Sequence, residues 1–241
     1  MNIFLKFHSK LSEGGKTNRV LLLFMILVCV VGIFNAFRFG AANLDYYSVR
    51  NSIDLWSENG QTQTKEEYES AKRAIKTARI LHSSNPLYIE LTGQITEWGQ
   101  VSGLDADKSL LDAKADYLKA TTLRPMWPVS WANLAMLKWR LQEFDDEMLG
   151  YLEKANELGP QSREVHLLYS QLGLTLYKAN HPFYININKV ARERVVLVLK
   201  THSSRDQFRD FINANGHLVT VCRWVKIDAP AVAKNFLSCK S

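Results

Sequence analysis

The chain has 241 residues, 46% of them hydrophobic and 22% charged, so it is long enough for a membrane anchor and one folded unit and too apolar to be disordered throughout. Its net charge of +6 is concentrated at the two ends: residues 1–38 carry +4, residues 39–180 carry −4 and residues 181–241 carry +6. A nucleic-acid-binding protein would instead place a basic stripe along its folded part. The charge pattern therefore argues against nucleic acid as a partner.

The first predicted element is a membrane-spanning helix. The eighteen residues from Val20 to Phe37 contain no charged side chain, and thirteen of them are Val, Leu, Ile or Phe. As a helix they would rise about 27 Å, close to the thickness of the hydrocarbon core. Basic residues precede the run, so we predict that residues 1–19 are cytoplasmic and that residues 39–241 lie in the periplasm of a bacterium, anchored to the inner membrane. These basic residues are Lys6, Lys10, Lys16 and Arg19.

The alternative to an uncleaved anchor is a signal peptide that is cleaved near Gly40-Ala41-Ala42. The small residues there suit a cleavage site, but the apolar run is longer than the usual core of about 7–15 residues. Arg38 also separates the run from that site. We therefore predict a single-pass transmembrane helix over residues 20–37. Both interpretations place the folded part outside the cytoplasm.

Residues 41–201 contain a repeated helical pattern. Two stretches share the same spacing and end in a proline: Ala113, Tyr117, Ala120, Leu123 and Pro125, and then Met148, Leu152, Ala155, Leu158 and Pro160. After the first stretch come Trp131, Leu134 and Ala135. This phasing is that of a tetratricopeptide repeat, in which each helical hairpin buries its apolar face only by stacking on its neighbours. The residues that we expect to form the repeat core are Ala113, Tyr117, Ala120, Leu123, Trp131, Leu134, Ala135, Ala155 and Leu158.

The predicted hairpins begin near residues 41, 86, 128 and 163. Their second helices should end before Pro86, Pro125 and Pro160, and Thr64 and Asp145 are the expected N-caps of two of them. Residues 202–241 lose the period and are predicted to be a C-terminal helical cap, although residues 217–227 fit a helix and a strand equally poorly. The predicted fold is therefore all-α: a transmembrane helix, a degenerate tetratricopeptide-like α-solenoid and a cap.

No catalytic motif accompanies this architecture. The sequence contains no GxSxG, HExxH, P-loop or GxGxxG pattern, and no two histidines are spaced i, i+4. The clustered acids Asp145, Asp146 and Glu147 open a predicted helix, where the helix dipole favours negative charge. We therefore predict a binding protein with no enzymatic activity, no catalytic or metal-binding residue and no cofactor.

The three cysteines differ in their predicted surroundings. Cys29 lies within the apolar run, whereas Cys222 and Cys239 lie in the exported part, where a disulfide could persist. Neither of these two has a Cys or His partner at the spacing of a zinc site. A Cys222–Cys239 disulfide and two unpaired thiols both remain open.

Two features could contact a ligand. Trp127 lies between Pro125 and Pro128 in a stiff turn, where it could stack on a sugar ring or hold two hairpins together. The basic C-terminal region could contact phospholipid headgroups or an acidic polysaccharide, or it could be a solvated cap. The basic residues that cluster on its predicted helices are Lys189, Arg192, Arg194, Lys200, Arg205 and Arg209.

The order of these features resembles the VpsP-type polysaccharide biosynthesis family, which consists of membrane-anchored, tetratricopeptide-like proteins of bacterial exopolysaccharide gene clusters. The phrases that carry the resemblance are Phe37-Arg38-Phe39-Gly40-Ala41-Ala42-Asn43, Tyr46-Tyr47, Trp56, Asn85-Pro86-Leu87-Tyr88, Gly93, Trp98 and Leu123-Arg124-Pro125-Met126-Trp127-Pro128 with Trp131. The resemblance covers residues 20–178 and brings no catalytic residues. It implies an accessory role, beside protein partners, in making or exporting an extracellular polysaccharide of the kind found in biofilms.

Three functions are therefore consistent with the sequence. The first is a periplasmic scaffold of an exopolysaccharide assembly. The second is a general tetratricopeptide adaptor in cell-envelope assembly, division or secretion. The third is a glycan-binding module that uses Trp127 and the basic C-terminal region.

Overall fold

The computed structural model describes residues 16–59, 64–105, 110–237 and 239, and within these ranges every regular element is a helix. The predicted all-α class is thus confirmed. Most of the predicted cytoplasmic segment lies outside the described residues. The helices are α1 Lys16–Asn59, α2 Lys65–Leu81, α3 Pro86–Val101, α4 Leu110–Leu123, α5 Pro128–Arg140, α6 Asp146–Leu158, α7 Arg163–Lys178, α8 Tyr184–Lys200, α9 His202–Ala214, α10 Leu218–Asp228 and α11 Pro230–Phe236.

Helix α1 is one uninterrupted helix of 44 residues with two different halves. Its first half leaves large apolar side chains exposed, from Val20 at 66% to Phe37 at 79%. This half is long and apolar enough to cross a membrane. In the second half one face is buried, because Ala42, Val49 and Trp56 pack against α2 and α3. The same helix is thus apolar on all sides where no protein covers it and amphipathic where the fold begins.

Helices α1 to α8 pack mainly in consecutive pairs. Helices α1 and α2, α3 and α4, α5 and α6, and α7 and α8 make the most extensive contacts. The first helices of successive pairs also touch, α1 on α3, α5 on α7 and α7 on α9. Three hydrophobic clusters follow the chain in order, the first within α1–α3, the second from α4 to α8 and the third from α7 to α11.

Caps and prolines set the ends of these helices. The backbone N–H of Glu67 donates to the Thr64 hydroxyl at 3.1 Å, and that of Met148 donates to the Asp145 carboxylate at 2.9 Å. Each bond satisfies an N–H that the first turn of a helix leaves unpaired. Helices α2, α4 and α6 end at residues 81, 123 and 158, before Pro86, Pro125 and Pro160 as predicted.

Most of the predicted repeat-core residues lie inside the fold. Ala113, Tyr117, Ala120, Leu134, Ala135 and Ala155 are buried, and Trp131 and Leu158 are partly buried. The Leu123 prediction is wrong, because this side chain is 47% exposed. Leu123 is the last residue of α4, and the chain turns away there without covering it. The spacing of apolar residues predicts which face of α4 is buried, but it does not predict how far that burial continues along the helix.

The C-terminal region is helical, including residues 218–228, where the sequence left helix and strand open. Helices α9, α10 and α11 share the third hydrophobic cluster with α7 and α8. A disulfide joins Cys222 in α10 to Cys239, and Cys29 in the apolar half of α1 is an exposed free thiol. The chain after α11 is therefore tied back to α10.

Candidate functional site

An inner groove runs between the second half of α1 and the first helices of the later pairs. Its first cavity, of about 400 Å³, has walls from α1, α3, the start of α5 and the start of α7. Its second cavity, of about 760 Å³, has walls from α1, α7 and α9. Arg50 of α1 lines both, so the two cavities adjoin at this side chain. Both cavities therefore share a wall formed by the second half of α1.

The groove carries more acidic than basic side chains. Five carboxylates line the two cavities against the two guanidinium groups of Arg50 and Arg163. The carboxylates belong to Asp54, Glu90, Glu164, Asp206 and Asp210. Such a surface attracts a cationic ligand, tolerates a neutral one and repels a polyanion.

Both arginines are held in place by neighbouring groups. Arg50 Nε lies 3.4 Å from the Asp54 carboxylate one helical turn further along α1. Arg163 at the start of α7 donates to the Ser203 carbonyl at 3.0 Å and to the Gln207 side chain at 2.8 Å. The Arg163 contacts join α7 to α9 in the wall of the second cavity.

Glu90 is the most buried acid in the groove, at 6% exposure. Burial raises its pKa, and the hydroxyl of Ser130 in α5 donates a hydrogen bond to its carboxylate, which opposes that effect. This contact links α3 to α5 at the floor of the first cavity. The sequence does contain a signal for this residue, a glutamate within the otherwise apolar start of α3. Its partner could not be predicted, because no local pattern shows that α3 meets α5 there.

Trp127 both holds the α4–α5 turn and lines the first cavity. The guanidinium of Arg124 lies 3.7 Å from the centroid of its ring, a cation–π contact that covers one face. The indole N–H is buried and has no acceptor among the described residues. Because one ring face is already occupied, only the other face is available for stacking on a sugar.

The predicted basic contact surface does not form as one patch. Arg194 is only 5% exposed, and Arg192 pairs with Asp228 through two bonds of 2.9 Å. Arg205 donates to backbone carbonyls at the end of α8, and Arg209 lies 3.7 Å from Asp206. Lys189 and Lys200 are exposed. The prediction is wrong for Arg194, because packing of α8 on α7 turns this side chain inward.

Arg194 is the centre of a buried network. Its guanidinium donates to the carbonyls of Gly159 and Pro160 at 3.2 and 2.9 Å, and to the Asn156 side-chain oxygen at 2.5 Å. It also donates to Nδ1 of His166 at 2.8 Å, so this imidazole is neutral with its proton on Nε2. Burial, together with the arginine charge, lowers the pKa of His166 to about 4. The network fixes the α6–α7 turn to α8.

A second buried cation occupies the acidic cluster at the start of α6. The side-chain oxygens of Glu143, Asp145 and Glu147 lie within 4.8 Å of one another, close enough to hold a metal ion. The ammonium of Lys138 already contacts all three, at 2.6, 2.6 and 3.0 Å. A lysine at the shared position supplies the positive charge that a metal would supply, so this cluster is an ion-pair network.

No family model and no curated protein matches this chain.

Proposed function

We propose that the protein is a periplasmic scaffold, anchored by one helix in the inner membrane of a bacterium, that binds a partner protein in the inner groove of a tetratricopeptide-like solenoid. The observation that carries this proposal is the groove itself, which lies between α1 and the first helices of the later pairs and is lined by more carboxylates than guanidinium groups. Solenoid proteins use such concave surfaces for binding.

The structure of α1 supports the anchor over a cleaved signal peptide. Ala42 is fully buried against α2 and α3, and the helix passes through residues 40–42 without a break. Cleavage there would remove the first turn of the helix that opens the fold. The basic residues before the apolar half support a cytoplasmic N-terminus.

A reporter that is active only in the periplasm, fused after Ser241, tests this topology. We expect it to be active. Activity of a cytoplasmic reporter at the same position would reverse the orientation and exclude every periplasmic function proposed for this chain.

The charge of the groove favours a basic segment of a partner protein over an acidic polysaccharide. A polyanion would have to approach five carboxylates, and like charges at an interface cost several kcal/mol. The partial cover of Trp127 by Arg124 also weakens the case for a glycan-binding module. We therefore favour a scaffold with protein partners over direct binding of the polymer.

The resemblance to the VpsP-type family supports a role in exopolysaccharide biosynthesis or export. Deletion of the gene should reduce extracellular polysaccharide, and the full-length protein should restore it. Gln94→Trp, which places a large ring in the first cavity, should fail to restore it, whereas Lys154→Trp on an exposed position of α6 should restore it.

The outcome separates the first two functions. Unchanged polysaccharide together with a defect in division or secretion would support a general envelope adaptor instead. Full restoration by Gln94→Trp would remove the groove from the proposal.

A further inference from the structure

The end of α2 lies close to the point where α1 leaves the apolar run. The ring of Phe39, two residues after that run, is 4.4 Å from the ring of His82, which directly follows α2. Phe39 is itself 36% exposed. Since α1 continues without a break from the apolar run into the fold, the α2–α3 turn is within about one helical turn, or 5 Å, of the end of the membrane-spanning half.

The charges of α2 are segregated along its axis. Glu66, Glu67 and Glu69 lie in its first turns, which are far from Phe39, whereas its later turns contain only basic charges. Of these, Arg79 pairs with Asp116 of α4 at 3.1 Å. Arg73 and Lys76 are exposed. The C-terminal end of α2, which carries the basic side chains, is therefore the end that lies nearest the membrane-spanning half of α1.

An apolar side chain lies on the same face as these two exposed basic residues. Arg73, Lys76 and Ile80 are spaced i, i+3 and i+7, which places them on one side of the helix. Ile80 is 72% exposed and lies two residues before His82. A helix surface that is apolar nearest the bilayer and basic just above it matches the order of acyl chains and anionic headgroups in a leaflet.

The dimensions are compatible with this match. The headgroup layer on each side of the hydrocarbon core is roughly 5–8 Å thick. Lys76 lies six residues before His82, about 9 Å along the helix, and its side chain can extend back toward the surface. Attraction to anionic headgroups acts over a Debye length of about 8 Å and is worth about 1 kcal/mol per basic residue.

We propose that the membrane-facing end of α2, consisting of Arg73, Lys76, Ile80 and the α2–α3 turn, rests on the headgroups of anionic phospholipids in the leaflet that the anchor leaves. Ile80 enters the interface and Lys76 contacts phosphate, while Arg73, about 14 Å along the helix from His82, adds attraction to the anionic surface at longer range. This contact rests on the anchor of the proposed function, and it goes further because it fixes the orientation of the whole helical array, and of the inner groove, relative to the bilayer.

The test uses the full-length protein in vesicles. Cys29→Ser removes the single free thiol of the chain, since Cys222 and Cys239 form a disulfide. An environment-sensitive fluorophore is then attached at Ile80→Cys, with Glu66→Cys at the far end of α2 as the matched control. The vesicles contain phosphatidylglycerol and phosphatidylcholine, with a lipid that carries a quencher near its headgroup. Strong quenching at position 80 and little at position 66 is expected; equal quenching at both positions would overturn the proposal.

A second arm tests the charges. Quenching at position 80 should be weaker in pure phosphatidylcholine, weaker in phosphatidylglycerol at high salt, and weaker after Arg73→Glu with Lys76→Glu. Quenching that is independent of lipid charge, salt and both substitutions would contradict the headgroup contact.

Flotation with the vesicles reports separately on the anchor. A protein that does not float refutes both the anchor and the headgroup contact. A protein that floats without the quenching difference refutes only the headgroup contact.

Discussion

The α5–α6 turn and the α6–α7 turn are each fixed by one buried cation, and the two cations are stabilised in different ways. Lys138 contacts three carboxylates whose side chains are 43–51% exposed. Within the part of the chain that the structure describes, the acceptors of Arg194 are neutral: backbone carbonyls, an amide oxygen and an imidazole nitrogen. The first network is an ion pair at the surface of the fold, and the second is a hydrogen-bonded cation inside it.

The comparison shows that a helix end can replace a counter-charge. The carbonyls of Asn156, Gly159 and Pro160 lie at the C-terminus of α6, where the helix dipole is negative and the carbonyls have no partner within the helix. The five donors of one guanidinium match several of these acceptors at once. Burial still lowers the pKa of Arg194, as expected for a cation without a paired anion. These differences predict different responses to mutation, pH and salt.

The largest effect is expected for Arg194→Met, which keeps an apolar side chain of similar length. It leaves several buried acceptors unsatisfied at about 1–3 kcal/mol each, so the free energy of unfolding should fall by about 3–5 kcal/mol. Chemical denaturation of the detergent-solubilised protein, followed by circular dichroism, measures this. Arg192→Met is the matched control, because Arg192 is on the same helix in a surface pair with Asp228 and should cost at most about 1 kcal/mol. Equal losses would show that the buried network adds nothing.

The next effect is a pH dependence from His166. Its pKa is about 4 in the fold against 6.5 in the unfolded chain, so its stabilising contribution is complete above pH 6.5 and is lost as the pH falls toward 4. The full loss is about 3 kcal/mol. Burial raises the pKa of Glu97 from 4.5 to about 7, which acts in the opposite direction between these values. The wild-type slope alone is therefore ambiguous.

His166→Asn separates these contributions. An asparagine oxygen can accept the Arg194 hydrogen bond but does not titrate. Unfolding free energies of the two proteins, measured from pH 7 to pH 4, should converge as the pH falls, because only the wild type loses the histidine contribution. Parallel curves would mean that burial and the Arg194 charge do not keep His166 neutral in the fold.

The sequence predicts one of these networks better than the other. The difference is the distance along the chain between the residues that form each network. Lys138 and its partners lie 5, 7 and 9 residues apart, and the sequence already places Asp145 as the cap of α6. The partners of Arg194 lie 28–38 residues away. No local pattern predicts which side chain of α8 points to the α6–α7 turn, so the sequence predicts a surface position for this arginine.

The same limit applies to the groove and the core. Hydropathy alone predicts the apolar half of α1, because an uncharged run of eighteen mostly apolar residues is long enough to cross a bilayer as one helix. The inner groove depends on how far α1 extends along the later helix pairs, which no spacing within one helix reveals. The Leu123 prediction fails for a related reason: its spacing is that of the buried face, but it is the last residue of α4 and is 47% exposed.

A smaller effect is expected for Lys138→Met. The apolar part of the side chain remains, but three carboxylates with oxygens within 4.8 Å of one another lose the ammonium between them. Because these acids are half exposed, water stabilises them and the loss should be about 1–2 kcal/mol at low salt. The loss should shrink in high salt, which screens the repulsion. Lys154→Met, in an exposed pair with Glu157, is the control; a loss that salt does not change would make Lys138 resemble Arg194.

The smallest effect separates two roles of Asp145. One carboxylate oxygen accepts the N–H of Met148 at 2.9 Å as the cap of α6, and the other contacts Lys138 at 2.6 Å. Asp145→Asn keeps an equally good capping oxygen and removes one of three anions, so its cost should stay below about 0.5 kcal/mol, whereas Asp145→Ala loses the cap and should cost about 1 kcal/mol. Urea unfolding at pH 7 measures both, with Asp146→Ala as an exposed control in the same turn. If asparagine costs as much as alanine, the charge of Asp145 rather than its capping bond stabilises this turn, and the Lys138 network depends on all three of its carboxylates.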